Sequence, residues 1–576
     1  MINALKKLID VASGNIPADS VIKNCKVVNV YSGAIEEGDI AICDGKIAGV
    51  GNYEGKEVVD AEGKFASPCF IDGHIHIESS YLSPEELGRM IVPRGTGTIM
   101  ADPHEIANVC GERGLSYMLE AGKRTALNII MELPSCVPAT PFDNPGKVLG
   151  PDIIEELISK EMFAGLGEMM NFPGVLAKDE NVLAKLAAAR KNEKWVDGHG
   201  PGLAGNDLNG YAVTGIISDH ECSTLEEMND RLSRGMYILM RQGSTCHNLR
   251  TLIKGVNAAN SRRCILCSDD LQPKTIIEEG HIDNDLRICV NEGIDPVTAI
   301  RMATLNPAEC FGLKDRGAIA PGKRADIVLL DDLTEFKADK VWIEGKLVAS
   351  KGEYLPEITK YDIASVKGSV VLKDFSKEKL KMHLRSNHVN VIGLKPGGIV
   401  TEKFTEYIKL DDDGEFVRDA NEDIAKVAVI ERHNMTGNAA CGFIKGYGIK
   451  EGAVAISIGH DSHNIITVGV SDDEMETAVN ALKEQEGGIV LVKGGKVIEN
   501  MPAPIAGLMS DQSGEWVSEK LKEVHRKAHD ELGINKDVEP IMALCFMTLI
   551  VIPSLKITDT GLFDVSAFRF IPVECD

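Results

Sequence analysis

The chain has 576 residues, 44% of them hydrophobic, which is too long for one compact core and too apolar for disorder, so two or three folded units are expected. Its 62 Lys and Arg stand against 87 Asp and Glu, and the resulting net charge of −25 repels phosphate backbones and anionic membranes, which excludes nucleic acid and lipid surfaces as partners. Fourteen cysteines scattered singly, with no secretory leader, point to reduced thiols in a cytoplasm.

The N-terminal stretch carries Leu5, Leu8 and Ile9 at helical spacing and reads as a short surface helix. Residues 21–65 alternate short β-type runs with Gly and Asp turns, which predicts an antiparallel meander. From Cys69 to Asp270, eight short apolar runs recur: CFIDGHIHI, GTGTIMADP, ALNIIMELP, MFAGLGE, KWVDGHG, GIISDH, MYILMRQ and RCILCSDD. Continuous apolar strands alternating with helical stretches indicate a parallel sheet, and eight units fit a (β/α)8 barrel of the TIM type. Residues 321–348 return to the β style of the N-terminal segment, so one small sheet is assembled from both flanks of the barrel. After about residue 360 an α+β style follows, with a linker near LVASKGEYLPEITKYD. The expected fold class is α/β: residues 1–66 and 316–355 form the small β domain, 67–315 the barrel, and 360–576 a C-terminal α+β domain. The longest apolar run, Met542 to Ile552, falls short of the roughly 20 residues that span a bilayer.

In such a barrel the C-terminal strand ends converge on one face. Strand one ends in His74 and His76, two residues apart and therefore on one side of an extended chain. Strand four ends in Glu168, strand five in His199, strand six in His220, and strand eight in Asp269 and Asp270. Four imidazoles and two carboxylates at one mouth suit one or two divalent metals. The lone C-x-x-C, Cys264 and Cys267, points its two thiols to opposite faces of a strand and reads as core packing.

The order His-x-His, Glu, His, His, Asp on strands one, four, five, six and eight resembles the amidohydrolase superfamily. The segments FIDGHIHIESS, GTGTIMADPHEIANVCG, GEMMNFPGV, DGHGPG, SDHE, CSDD and GHDSHNI are similar to the adenine deaminase family within it. The resemblance implies a metal pair, manganese or iron first and zinc also accepted, held by His74, His76, Glu168, His199, His220 and Asp269. Such an ion lowers the pKa of water from about 15.7 to about 7, so hydroxide is available to attack C6 of adenine. The products are hypoxanthine and ammonia, in purine salvage or catabolism. Asp269 then serves as the proton carrier, and Glu168 or Glu221 protonates the ring at N1. Glu168 stands where hydantoinases and dihydroorotases usually carry a carboxylated lysine, which demotes a cyclic-amide hydrolase. A modified 6-aminopurine as substrate and a non-catalytic metal-binding scaffold remain as alternatives, and the superfamily suggests a homodimer.

Further candidates flank this set. Asp102, His104 and Glu105 follow strand two and either bind the purine edge or order a loop. Asp270, His281 and Asp283 follow strand eight and either support the metal ligands or cap a helix, and Asp270 and His281 are also candidates to bind the substrate. His460, Asp461 and His463 form a cluster outside the barrel that reads as an auxiliary metal site, a lid or a structural loop.

Overall fold

In the computed structural model, residues 2–395, 400–419 and 421–575 are described. The first helix, Ile2–Ala12, leaves Leu5 and Ile9 in solvent and buries Val11. Five strands follow: β1 (Ala18–Asn29), β2 (Ala34–Cys43), β3 (Lys46–Gly51), β4 (Gly55–Asp60) and β5 (Phe65–Pro68). β1 to β3 form the expected antiparallel meander, but β4 and β5 run parallel to β1. The reason lies in β1, whose register slips between Ile22 and Cys25. Its first half then pairs with β4 and its second half with β5.

The barrel strands are β6 (Phe70–Ile75), β7 (Thr96–Ala101), β8 (Asn128–Leu133), β9 (Gly165–Met169), β10 (Trp195–Gly198), β11 (Ser218–Asp219), β12 (Tyr237–Arg241) and β13 (Cys264–Cys267). β6 to β10 pair in parallel, and so do β11 to β13. Parallel bridges Val196 to Ile216 and Ile75 to Asp269 join the two arcs into a closed ring. Every residue of β6 and β7 is buried, which is why these strands read as unbroken apolar runs rather than alternating ones. Gly73 in β6 lets β13 approach, since a Cβ there would stand 2.5 Å from the Ile265 side chain. Gly198 does the same between β10 and β11, where a Cβ would lie 2.0 Å from the Ser218 carbonyl. Each of these glycines immediately precedes a histidine of the mouth. Between strands, helices start on local signals; Thr224 and Glu227 form a reciprocal capping box on the helix Leu225–Ser233.

The chain then returns to the small sheet through β14 (Ile327–Leu330), β15 (Ala338–Ile343), β16 (Lys346–Ser350) and β17 (Glu353–Tyr354). β14 pairs with β5, so the two flanking segments share one nine-stranded sheet. An eight-stranded sheet follows, from His388–Leu394 to Lys496–Pro502. The helix Asp472–Glu484 covers it with Met475, Ala478, Val479 and Leu482, a spacing that puts all four on one face. This last unit packs on the mouth side of the barrel: Ser510 N donates to the Tyr81 carbonyl, and Asn144 Nδ2 donates to Asp559. Among the described residues no helix is long and apolar enough to cross a membrane; the apolar run Met542 to Ile552 forms a short helix, Met542–Cys545, and then turns.

Candidate active site

The strand ends bring His74, His76, Glu168, His199, His220 and Asp269 into one buried cluster. His74 Nε2 and His76 Nε2 face each other at 3.1 Å. Asp269 Oδ1 lies 3.2 Å from His76 Nε2 and 3.7 Å from His74 Nε2, and Glu168 Oε1 lies 3.3 Å from His76 Nε2. On the far side of Glu168, Oε2 stands 2.6 Å from His199 Nδ1 and 3.2 Å from His220 Nε2. The His74 and His220 rings stack at 4.1 Å.

The second nitrogen of each strand-one histidine is already engaged. His74 Nδ1 bonds the Asp197 carboxylate at 2.9 Å, and His76 Nδ1 bonds the Asp102 carbonyl at 2.9 Å. With its proton on the nitrogen that meets an acceptor, each ring in its neutral form would turn a lone pair inward. Two ring lone pairs and two carboxylates would then converge on one point. That donor set fits a cation, and the triads His74–His76–Asp269 and His74–Glu168–His220 each present ligand atoms close enough for one ion. Cys264 and Cys267 sit in β13 as buried free thiols outside these triads.

Against the burial that would lower them, Asp197 raises His74 to about 9 and Asp269 and Glu168 raise His76 well above the ordinary imidazole range, so the cluster by itself carries positive charge between its acids. Against the burial that would raise it, the His76 hydrogen bond and the Arg241 guanidinium hold Asp269 well below the usual carboxylate range. Glu168 is likewise kept low, in spite of burial, by His199, His220 and His76. Burial, with the charge of Asp269 beside it, moves Asp270 the other way. Asp269 also adopts a left-handed backbone, φ 60°, a strained conformation of the kind that gathers at functional sites. Its amide donates to the His74 carbonyl, which locks strand eight to strand one at the cluster itself.

The barrel is completed from outside. Glu105 accepts from His460 and His463, both on the 457–464 loop of the C-terminal domain. These two imidazoles, His460 foremost, hold the Glu105 carboxyl low although it is fully enclosed. Thr548 Oγ1 donates to the His460 carbonyl at 2.7 Å, and His460 N donates to the Cys545 carbonyl at 2.9 Å, so loops 457–464 and 541–552 are tied together. The Phe546 ring stacks on His460 at 4.6 Å, and the buried Lys556 ammonium donates to the Phe546 carbonyl at 2.9 Å. Phe546, Leu549 and Ile552 thus form an apolar wall facing Glu168, Asp269 and Glu221 across one pocket.

Residues 65–348 match the amidohydrolase family, and residues 398–569 match the adenine deaminase C-terminal domain. Adenine deaminase 2 of Desulfotalea psychrophila is 59% identical over 571 residues, and the adenine deaminase of Ligilactobacillus salivarius is 50% identical over 573; each alignment covers 99% of both chains. The chain belongs to the adenine deaminase family. A third member, the adenine deaminase of Carboxydothermus hydrogenoformans numbered 2, is 46% identical over 99% of each chain.

Within this family member the flanking candidates separate by position. His104, Glu105, Glu221, Asp270, His460 and Asp461 line the pocket with the metal-type ligands. Asp102 is not among the residues lining it; its Oδ2 accepts from the Glu168 amide at 2.9 Å while its carbonyl holds His76. His463 stands behind Glu105. His281 corrects the expectation of substrate contact: its Nδ1 meets Thr96 at 2.7 Å and its Nε2 meets Asp72 at 3.0 Å, which places it under strand one, off the pocket wall. Asp283 caps that turn by accepting from the His281 amide at 2.7 Å. Two participants escaped the sequence reading. Arg241 ends β12 and donates to Asp269 Oδ2 at 2.9 Å and to Glu221; Asp197 ends β10 and orients His74. The strand-end rule that found the histidines would have found both. Phe546 carried no such signal.

Proposed function

We propose that this chain deaminates adenine, converting adenine and water to hypoxanthine and ammonia. The observation that carries this reading is the convergence of His74, His76, Glu168 and Asp269 on one buried point in a chain similar over its full length to adenine deaminases. His74, His76, Glu168, His199, His220 and Asp269 would hold a divalent pair, manganese or iron by preference, which when bound supplies the Lewis acidity that makes hydroxide available near neutral pH.

The protein's own side chains handle the protons. Asp269, anionic and fixed by Arg241, accepts the proton released as the C6–O bond forms. Attack pushes the N1–C6 π electrons onto N1, which must be protonated. Glu168, held by imidazoles on both oxygens, and Glu221, held by Arg241 on both, are the two pocket-wall carboxyls that can carry a proton to N1. As the C6–N6 bond breaks, Asp269 returns its proton to the departing amine, and the product keeps hydrogen on N1. With its one hydrogen passed through Asp269 to the amine, the C6 oxygen is left as the carbonyl and hypoxanthine leaves as the lactam; the proton freed when the next water ionises restores the acid that protonated N1.

Cytoplasmic residence and a homodimer belong to the same reading. The test is ammonia release from adenine by protein loaded with manganese or iron, with chelation abolishing turnover and metal restoring it. Inactivity on adenine together with good turnover of a hydantoin or dihydroorotate would overturn the assignment. A modified 6-aminopurine turned over far faster than adenine would narrow it.

A further inference from the structure

One carboxylate on the pocket wall is used by nothing described so far. Asp461 is 4% exposed, and its Oδ2 has no hydrogen-bond partner among the described residues. Its other oxygen lies 3.8 Å from His104 Nε2, and the opposite nitrogen of the same ring lies 3.4 Å from Glu168 Oε1. A single imidazole therefore separates Asp461 from the metal-type ligands. A buried, unpaired acceptor on a residue that lines a ligand pocket is a place for a donor from the ligand.

Adenine offers one donor of the right kind. With C6 at the ligand cluster, the five-membered ring, fused at the neighbouring C5, projects to one side of it, where Asp461 stands one imidazole away, and that ring carries one N–H, at N7 or N9. A nucleoside has a glycosidic carbon at N9 and in its ordinary tautomer has no ring N–H at all. The apolar wall of Phe546, Leu549 and Ile552 suits the flat face of the base but offers no such discrimination.

We propose that Asp461 is the residue with which the C-terminal domain selects the free base, its Oδ2 accepting the imidazole-ring N–H of an unsubstituted purine. This rests on the deamination proposed above. A site built around a substrate N–H rejects an analogue that lacks it, because the buried acceptor is then left unpaired.

The test compares metal-loaded wild type with Asp461→Ala, taking kcat and KM for adenine and the inhibition constant of 9-methyladenine, which has the same six-membered ring and no ring N–H. Wild type is expected to bind 9-methyladenine roughly 10- to 100-fold more weakly than adenine. In Asp461→Ala the KM for adenine should rise by a similar factor while kcat changes little, so that the preference collapses through weaker adenine binding rather than tighter binding of the methylated base. An unchanged preference, a preference lost only because 9-methyladenine improves, or a fall in kcat at constant KM overturns the assignment. Asp461→Asn keeps the side chain's size and guards against a folding failure; it should narrow the preference by less than Ala, and a folded Asn variant with the full wild-type preference also overturns it. Wild-type inactivity on adenine is a separate result and strikes the deamination reading instead.

Discussion

The barrel and the C-terminal domain reach the same pocket by different routes. The barrel delivers its side chains at the ends of hydrogen-bonded strands, where neighbouring backbones fix each position: Asp269 is pinned to His74 by a main-chain bond, and Gly73 and Gly198 let adjacent strands close beside the histidines. The C-terminal domain delivers His460, Asp461 and Phe546 from two loops held to each other and to Glu105. Rigid strand ends suit bond making, which tolerates little misplacement. Loops suit the shape and polarity of a ligand. Barrel substitutions should therefore act on kcat and loop substitutions on KM.

The sharpest break comes from Asp269→Asn, which removes the proton carrier and is expected to lower kcat by about 10² to 10⁴-fold; steady-state kinetics with metal content measured in parallel will separate this from loss of metal. Next in size is Glu105→Gln, which leaves His460 and His463 without their shared anion. Breaking a buried charge pair costs about 3–5 kcal/mol, so calorimetry should show the variant unfolding earlier. If Glu105→Gln melts like wild type, the two units are not joined there. Phe546→Ala removes only the stacked wall and should raise KM for adenine by roughly 3- to 10-fold with kcat nearly constant. A drop in kcat alone would put Phe546 on the chemical side of the comparison.

A separate effect, on stability instead of turnover, concerns the seam between the two units. Asp143 accepts from Thr140 Oγ1 at 2.8 Å, and burial raises its pKa from 3.8 to about 7. The folded protein thus holds this proton more tightly than the unfolded chain. The stability it contributes is full below about pH 4 and is lost as pH rises through about 7. Asp143→Asn removes that slope, so the variant should gain on wild type between pH 4 and 7 by up to a few kcal/mol, read as a melting temperature that falls less with pH.

How much was legible differs along the same divide. Barrel strands such as β6 and β7 were visible because they are buried on both faces and so read as one apolar run. Their closing residues were visible because parallel strands put their ends on one face, and a histidine or acid there stands out. The parallel pairing of β4 and β5 was hidden, since a slip inside β1 leaves no mark in the apolar pattern. His281 misled because its place after strand eight suggested the mouth, whereas the chain turns it under strand one to Asp72. Asp102 was left between two readings, and its bond to the Glu168 amide speaks for the ordering one. Phe546 sits in a run that looks like ordinary core, and only its place in the pocket lining, stacked on His460, sets it apart.

The clamp at Glu105 has a consequence for how such proteins can be recombined. A chimera that joined this barrel to a relative's last domain would have to inherit both imidazoles in register, or it would seal an orphan anion beside the reaction centre. Transplanting either half alone should yield a chain that folds poorly, so the two halves are expected to be inherited as a matched pair.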